Sequence, residues 1–425
     1  MLDLRFIRDH PEQVRRAIRA KQLPAALEAL DALLIADEGR RLVRSDLEAK
    51  QALRNSASKE IGARKRRGEA ADELMSQMAE VSVDVKRLED RDASLTEQID
   101  TLLLEIPNIP HESVPYGASE HDNVVAAEHG ERRLDEGLLP HWDLPAGRRW
   151  FDLEAGVTVT GAGFPVFRGP GARLVRALAG YFLDRLGEAG YEEIVPPLLV
   201  NEASATGTGQ LPDKEGQMYA VTGGFYLIPT SEVPVTNLHR GQILDDADLP
   251  LRYCAYTPCF RREAGSHGKD VRGLNRVHQF DKVEMVQFTR PEESYDALES
   301  MTETAESLLV ELGLPFRRLL MCTGDMGFTQ AKKYDLEVWS PGQGRWLEVS
   351  SISNMESFQA NRLGTRSRAG GAAGRGRTEV VHTLNGSALA FPRTIAALVE
   401  TNQRPDGTVA LPEVLHAYVG TDVLA

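Results

Sequence analysis

The chain has 425 residues, 42% hydrophobic and 26% charged, the proportions of a globular protein rather than a disordered or fibrous one. Its 49 Lys and Arg against 63 Asp and Glu leave a formal charge of -14. That balance excludes indiscriminate coating of nucleic acid but leaves room for a local basic patch.

Three cysteines, Cys254, Cys259 and Cys322, stand without any CxxC pair. They predict reduced packing thiols, with no disulfide framework and no zinc site. The opening MLDLRFIRDHPEQVRRAIRAK carries acids and lacks the apolar segment of a secretory signal. No run of 18 apolar residues suits a membrane span. The expectation is a cytoplasmic protein of two or three domains, with no membrane partner.

The first hundred residues read as helix. From Leu74 an apolar stripe runs through Met78, Val81, Val85, Leu88, Asp92, Leu95, Ile99, Leu102 and Ile106 in alternating steps of 4 and 3. Only Asp92 breaks it, so it is the seam of a coiled coil. A looser apolar series, Leu30, Leu34, Leu42, Leu53 and Ile61, precedes it. Between them Arg64-Lys65-Arg66-Arg67-Gly68 offers a glycine stop. Two long antiparallel helices follow, with residues 30–62 spanning roughly 50 Å at 1.5 Å per residue. This is an arm on a globular body.

Pro107 and Pro110 punctuate a linker, which divides the chain into domains at 1–110 and 111–425. Beyond it, short β-rich runs alternate irregularly with amphipathic helices near 171–187, 292–313 and 393–402. That pattern predicts an α+β fold with a mostly antiparallel sheet. The apolar run 194–200 reads as a strand. The glycine-rich segment 369–376 reads as a mobile surface loop.

Three clusters carry chemistry. Phe260-Arg261-Arg262-Glu263 ends one strand, and Arg276-Val277-His278-Gln279-Phe280 enters the next. A hairpin with Arg261 and Arg276 near its bases can clamp a polyphosphate, because the guanidinium fork pairs with phosphate oxygens. Phe280 can stack on a base, and Glu263 can accept from an exocyclic amine. Glu348-Val349-Ser350-Ser351 places a carboxylate and a hydroxyl three residues apart, a pair able to hold Mg2+ alongside phosphate oxygens. Asn385 to Thr394 turns from a small-residue strand into a helix, with Pro392 in its first turn and Arg393 near its positive end. The chain contains no GxxxxGK[ST], so no P-loop is expected.

These clusters resemble motifs two and three of the class II aminoacyl-tRNA synthetases, and Gly190 to Pro197 resembles motif one, the dimer-interface element. More narrowly, the chain resembles the bacterial seryl-tRNA synthetases along essentially its whole length. The resemblance rests on TGTGQLP at 206–212, PTSEVP at 229–234, FRREAGS at 260–266, RVHQF at 276–280, TGDMG at 323–327 and HTLNGS at 382–387, together with the helical arm.

The resemblance implies a class II antiparallel sheet flanked by helices, with a coiled-coil arm that reads tRNA. It implies activation of L-serine by ATP with Mg2+, then transfer to tRNA(Ser), and to tRNA(Sec) where present, by a homodimer that binds tRNA across subunits. Arg261, Glu263, Glu284 and Arg393 are the implied catalytic set. Thr230, Ser231, Glu232, Arg261, Glu284 and Ser387 are implied around serine. Arg261, Arg262, Glu263, Arg276, Val277, His278, Gln279, Phe280, Glu348, Val349, Ser350, Ser351 and Arg393 are implied around ATP, with Glu348 and Ser351 on the metal. Arg64, Lys65, Arg66 and Arg67 face tRNA. How Glu232 and Glu284 divide the ammonium and the hydroxyl stays open.

Departures from the family pattern are Ile352 and Met355, where members commonly carry cysteines, and Ala388 and Pro392, where many carry glycine. The two bulkier side chains are expected to alter the floor beneath the adenylate. They leave a second reading open, either a specialised duplicate with altered inhibitor sensitivity or a serine-activating ligase for a non-tRNA acceptor.

Overall fold

Gly68 ends the first long helix. The structure, a computed structural model, describes residues 1–145, 147–264 and 272–425. They form two units, Met1–Pro107 and Asn108–Ala425. In the first unit, helices α1 (Leu4–Asp9) and α2 (Pro11–Ala20) lead into α3 (Ala25–Arg67) and α4 (Asp72–Leu103). At 43 residues α3 spans about 65 Å, longer than the expected segment. Gly68 adopts φ 72, and its N–H and that of Glu69 return to the carbonyls of Lys65 and Arg64. A left-handed cap of this kind satisfies carbonyls the helix leaves open.

Every position of the Leu74–Ile106 stripe is at least half-buried, while off-stripe Val83 is 71% exposed. Asp92, the polar break, receives the Arg44 guanidinium at 2.8 Å from the facing helix, and Lys50 meets Asp84 at 2.6 Å. The seam thus keeps its one charge by pairing it with a guanidinium from the facing helix.

The second unit is organised on an eight-stranded sheet. In chain order its strands are β1 (Val124–His129), β2 (Glu192–Glu193), β3 (Leu251–Phe260), β4 (Gln279–Thr289), β5 (Phe316–Leu320), β6 (Lys332–Ser340), β7 (Arg345–Glu356) and β8 (His382–Ala390). Their spatial order is β1-β5-β6-β7-β8-β4-β3-β2, antiparallel except for β2 beside β3. The principal helices are α5 (Pro170–Glu188), α6 (Glu232–Thr236), α7 (Ser294–Glu311), α8 (Phe358–Leu363) and α9 (Phe391–Thr401). Leu174 and Phe182 of α5, Leu298 and Met301 of α7, and Ile395 and Leu398 of α9 share one core with Val283, Met285, Ile352 and Leu384 of the sheet. The pleat sends alternate residues to the opposite face.

One expectation changes. The run 194–200 is not one strand: β2 stops at Glu193, and pairing resumes only at Leu199–Asn201. Pro196 and Pro197 lack the N–H groups a ladder needs. The segment 369–376 contains a 3-10 turn at Gly371–Ala373, with Arg368 donating to the carbonyls of Gly371 and Ala372 and Asp245 accepting from the Gly370 N–H. Gly265 and Ser266 of the FRREAGS motif lie outside the described residues.

Candidate active site

On the sheet face opposite the core lies a cavity of about 610 Å³. Strand β4 contributes Phe280, Lys282 and Glu284 at every second position, while Val283 and Met285 enter the core. Strand β8 contributes Asn385 and Ser387, with Leu384 and Ala388 on the core side.

Glu348 and Ser351 would point to opposite faces of a regular strand. They share the cavity because β7 slips in register: Leu336 pairs with Ser350 and Glu337 with Glu348, leaving Val349 unopposed. A bulge re-aims a side chain in this way.

At one end of the cavity two carboxylates are almost fully buried, Glu232 at 8% and Glu284 at 2% exposure. Glu284 is joined to Lys282 by an ion pair, and accepts from the Ser387 hydroxyl at 3.2 Å. Lys282 Nζ also donates to Thr230 Oγ1 at 2.8 Å. Glu232 has no cationic partner in hydrogen-bonding range among the described residues. Its Oε1 accepts from Gln359 Nε2 at 2.7 Å and Asn385 Nδ2 at 2.9 Å. Burial, then the charge of Glu284, pushes the Glu232 carboxyl up to about 7, against the pull of the Gln359 hydrogen bond.

The other end is cationic. Arg261 Nε donates to the Pro229 carbonyl at 3.3 Å, and its guanidinium lies 5.3 Å from the Phe280 ring centroid. Arg393, in the first turn of α9, donates from Nε to the Asn275 carbonyl at 2.8 Å and from Nη1 to the Glu348 carbonyl at 3.0 Å. Glu263 sits at φ 49, a strained backbone for a non-glycine residue, and accepts from Arg276 Nε.

Burial raises the Glu348 carboxyl, but Lys333, then Arg393, Arg261 and Lys282 outweigh it and hold it below its ordinary range. Its carboxylate stays 3.7 Å from Arg393, outside a hydrogen bond. Across the strand pair from Ser351, Asp335 Oδ1 is buried without a hydrogen-bond partner among the described residues. A half-exposed carboxylate, Glu348, and the Ser351 hydroxyl on the cavity wall are hard-oxygen donors of the kind that fits Mg2+. No cluster of three His, Cys, Asp or Glu stands ready to hold a metal among the described residues.

The cavity gathers Thr230, Glu232, Arg261, Glu263, Arg276, Val277, Phe280, Glu284, Glu348, Val349, Ser350, Ser351, Ser387 and Arg393. It leaves out four expected residues. Ser231 is fully buried, with its hydroxyl on the Ala255 carbonyl. Arg262 donates its N–H to Gln217, His278 stacks on Phe164 at 5.2 Å, and Gln279 pairs with Phe260. Arg64, Lys65, Arg66 and Arg67 form the last turn of α3 in the other unit. Of the two departures, Met355 lines the cavity but Ile352 does not: it is fully buried against Gly386, where a Cβ would stand 2.8 Å from its Cγ1. The expected change to the floor is therefore limited to Met355.

Sequence reasoning missed Lys282, Asn385, Gln359 and Lys333. Lys282 was accessible from the two-residue spacing of Phe280, Lys282 and Glu284 along a strand. Gln359 reaches the site through tertiary packing alone.

The antiparallel sheet and its cavity define a class II synthetase core. The family model for the tRNA synthetase class II core domain (G, H, P, S and T) matches residues 222–402. The seryl-tRNA synthetase N-terminal domain matches residues 1–110. The chain is 54% identical over 424 residues to the serine–tRNA ligase of Salinibacter ruber, covering 99% of this chain and 98% of the relative. The solved seryl-tRNA synthetase of Pyrococcus horikoshii, complexed with ATP, matches at TM-score 0.94 and 37% identity over 100% of this chain and 99% of that one. The cytoplasmic serine–tRNA ligase of Naegleria fowleri, in complex with AMP, matches at TM-score 0.88 and 29% identity over 100% and 98%. The chain belongs to the seryl-tRNA synthetase family.

Proposed function

We propose that the chain activates L-serine with ATP and transfers the seryl group to the 3′ end of tRNA(Ser), and of tRNA(Sec) where present. One observation carries this reading: two buried carboxylates, Glu232 and Glu284, share one cavity with Arg261, Arg393 and Glu348. The family membership and the ATP-bound relative support it.

Glu232 takes the serine ammonium, since it is the buried carboxylate without a cation, and Thr230 lies beside it. Glu284, already answered by Lys282, takes the serine hydroxyl together with Ser387. Alanine brings no hydroxyl to Glu284 and Ser387, and sites built to hydrogen-bond a substrate hydroxyl discriminate by ~10⁴–10⁵. Ser231 holds the turn that carries both Thr230 and Glu232.

A serine carboxylate oxygen attacks the α-phosphorus of ATP, the bond to the bridging oxygen breaks, and pyrophosphate leaves. Arg261 steadies the α-phosphate and the serine carboxylate. Arg393 binds the γ-phosphate with the Nη2 that its two carbonyl contacts leave open. Phe280 and Glu263 receive the adenine, and Arg276 orients Glu263. Arg262, His278 and Gln279 shape this wall through the backbone, with Val277, Val349 and Ser350 completing it. Glu348 and Ser351 would hold Mg2+, which when bound supplies positive charge to the phosphate oxygens. In the second step a 3′-terminal ribose hydroxyl attacks the seryl carbonyl carbon, and AMP leaves. Both steps rely on positioning and charge stabilisation rather than a strong base.

Arg64, Lys65, Arg66 and Arg67 contact tRNA phosphates. Val195, Leu198 and Leu199, exposed at 88%, 38% and 45%, suit burial in a homodimer with tRNA bound across subunits. Charging of tRNA(Ser) with labelled serine tests the reading. Transfer to tRNA(Ser), and to tRNA(Sec) where present, but not to other tRNAs is expected, and activation without transfer would favour a ligase for another acceptor.

A further inference from the structure

Behind the cavity wall lies a buried polar network that none of the motifs contains. His141 and Glu400 are both fully buried. Glu400 Oε1 accepts from the His141 N–H at 2.9 Å and from Nδ1 at 2.8 Å. His141 Nε2 accepts the Leu274 N–H at 2.8 Å. Because Nε2 is an acceptor, the ring proton resides on Nδ1 and is donated to Glu400. The Glu400 carboxylate is further held by the Ser340 hydroxyl, the Gly342 N–H at 3.2 Å and Gln343 Nε2 at 3.1 Å.

Two features show what this network supports. Glu400 lies seven residues, two turns, after Arg393 on α9, so one helix face carries both. Leu274 is followed by Asn275, whose carbonyl accepts from Arg393 Nε at 2.8 Å and whose side-chain amide donates to Gln343 Oε1 at 2.9 Å. Leu274, Asn275 and Arg393 all line the cavity. The backbone also sits hard against the imidazole: a Cβ on Gly273, at φ 67, would stand 2.2 Å from His141 Nε2. Next to it, Arg272 lies 5.0 Å from the Trp142 ring. The segment around His141 is a seat for residues 272–275.

We propose that His141 is a positioning residue for the ATP end of the site: by accepting the Leu274 N–H, it fixes the Asn275 carbonyl that aims Arg393. It touches no substrate. The inference rests on the reading of this cavity as an ATP site, and concerns ATP alone. The serine end hangs from Gln359, Asn385 and Lys282, none of which bonds to the network.

The test pairs two isosteres. Gln at position 141 places an oxygen near the Nε2 position and can still accept from Leu274, whereas Asn keeps a donor to Glu400 but no acceptor for Leu274. H141N should weaken binding of a non-hydrolysable ATP analogue about tenfold by calorimetry, the effect of one lost buried hydrogen bond. In serine-dependent pyrophosphate exchange it should raise the ATP KM alike and leave the serine KM within twofold, while H141Q stays near wild type. Gly273→Ala, which keeps both members of the dyad, should reproduce the ATP-side loss and serves if H141N does not fold. Equal changes in the ATP and serine constants, or H141Q as impaired as H141N, would overturn the proposal. The calorimetric arm needs no serine chemistry, so a wild-type chain that binds the analogue without exchanging would count against the serine reading and not against His141.

Discussion

Gln359 Nε2 lies 2.7 Å from Glu232 Oε1, and the glutamine amide is locked in that sense because Thr383 donates its hydroxyl to Gln359 Oε1 at 2.8 Å. A neutral donor thus holds a carboxyl that burial has already pushed up to about 7. Serine binding as proposed, with the ammonium on Glu232, is therefore linked to a proton.

For the ammonium of serine to pair with Glu232, that carboxyl must be ionised, so the serine KM should fall several-fold as pH rises from 6 to 8. The stability consequence has the opposite sense. A carboxyl raised from 4.5 to about 7 favours folding when protonated, and that contribution is lost as pH rises through 7. Its full depth is about 3 kcal/mol. Denaturant unfolding between pH 5 and 8 should show the slope, and Glu232→Gln should flatten it. A pH-independent serine KM would assign the ammonium elsewhere.

Lys282 and Glu284 form an ion pair with side-chain exposures of 5% and 2%. Removing one partner leaves a buried uncompensated charge, which costs about 3–5 kcal/mol. Lys282→Met should lower stability by that order, and adding Glu284→Gln should recover much of it. Thermal unfolding of the single and double variants measures the coupling; additive losses would mean that the pair is not a unit.

The coiled-coil seam, the glycine cap and the strand-to-helix turn before Arg393 were legible because each rests on residues close in sequence. Asp92 was readable as the break in the stripe, but its answer, Arg44, lies 48 residues earlier. Pro196 and Pro197 announced the interruption of the 194–200 run, since two missing N–H groups outweigh its apolar content. The bulge at Val349 had no such signature. It arises from a register slip against β6, and without it Glu348 and Ser351 would not share a cavity. His141 and Gln359 were invisible too: Leu274, which His141 seats, and Glu232, which Gln359 holds, are each more than a hundred residues away.

Gly386 and Ile352 face one another across β8 and β7. A Cβ at 386 would stand 2.8 and 2.9 Å from the Ile352 Cγ atoms, so Gly386→Ala should destabilise by about 1–3 kcal/mol. In an Ile352→Ala background the same change should cost little. Chemical denaturation of the four-member cycle decides it, and an equal cost in both backgrounds would place the strain elsewhere.

At the tip of α3, Arg64 and Arg67 pair with Glu60, and Arg67 also meets Glu69 at 3.0 Å, while Lys65 and Arg66 have no carboxylate partner among the described residues. Lys65→Gln with Arg66→Gln should weaken tRNA charging and lower the salt dependence of its KM by about one unit of slope for each phosphate no longer neutralised. Serine activation should be unchanged. Equal loss of both activities would remove the arm from tRNA recognition.

Serine-dependent exchange of pyrophosphate into ATP, measured with serine, alanine and threonine in parallel, tests the central claim most directly. Serine should support exchange, alanine should fall below it by ~10⁴ or more, and Arg393→Ala should lose at least a hundredfold with its fold intact, the effect of one missing charge donor. Exchange that serine does not stimulate, or that Arg393→Ala leaves within tenfold of the parent, would contradict the account.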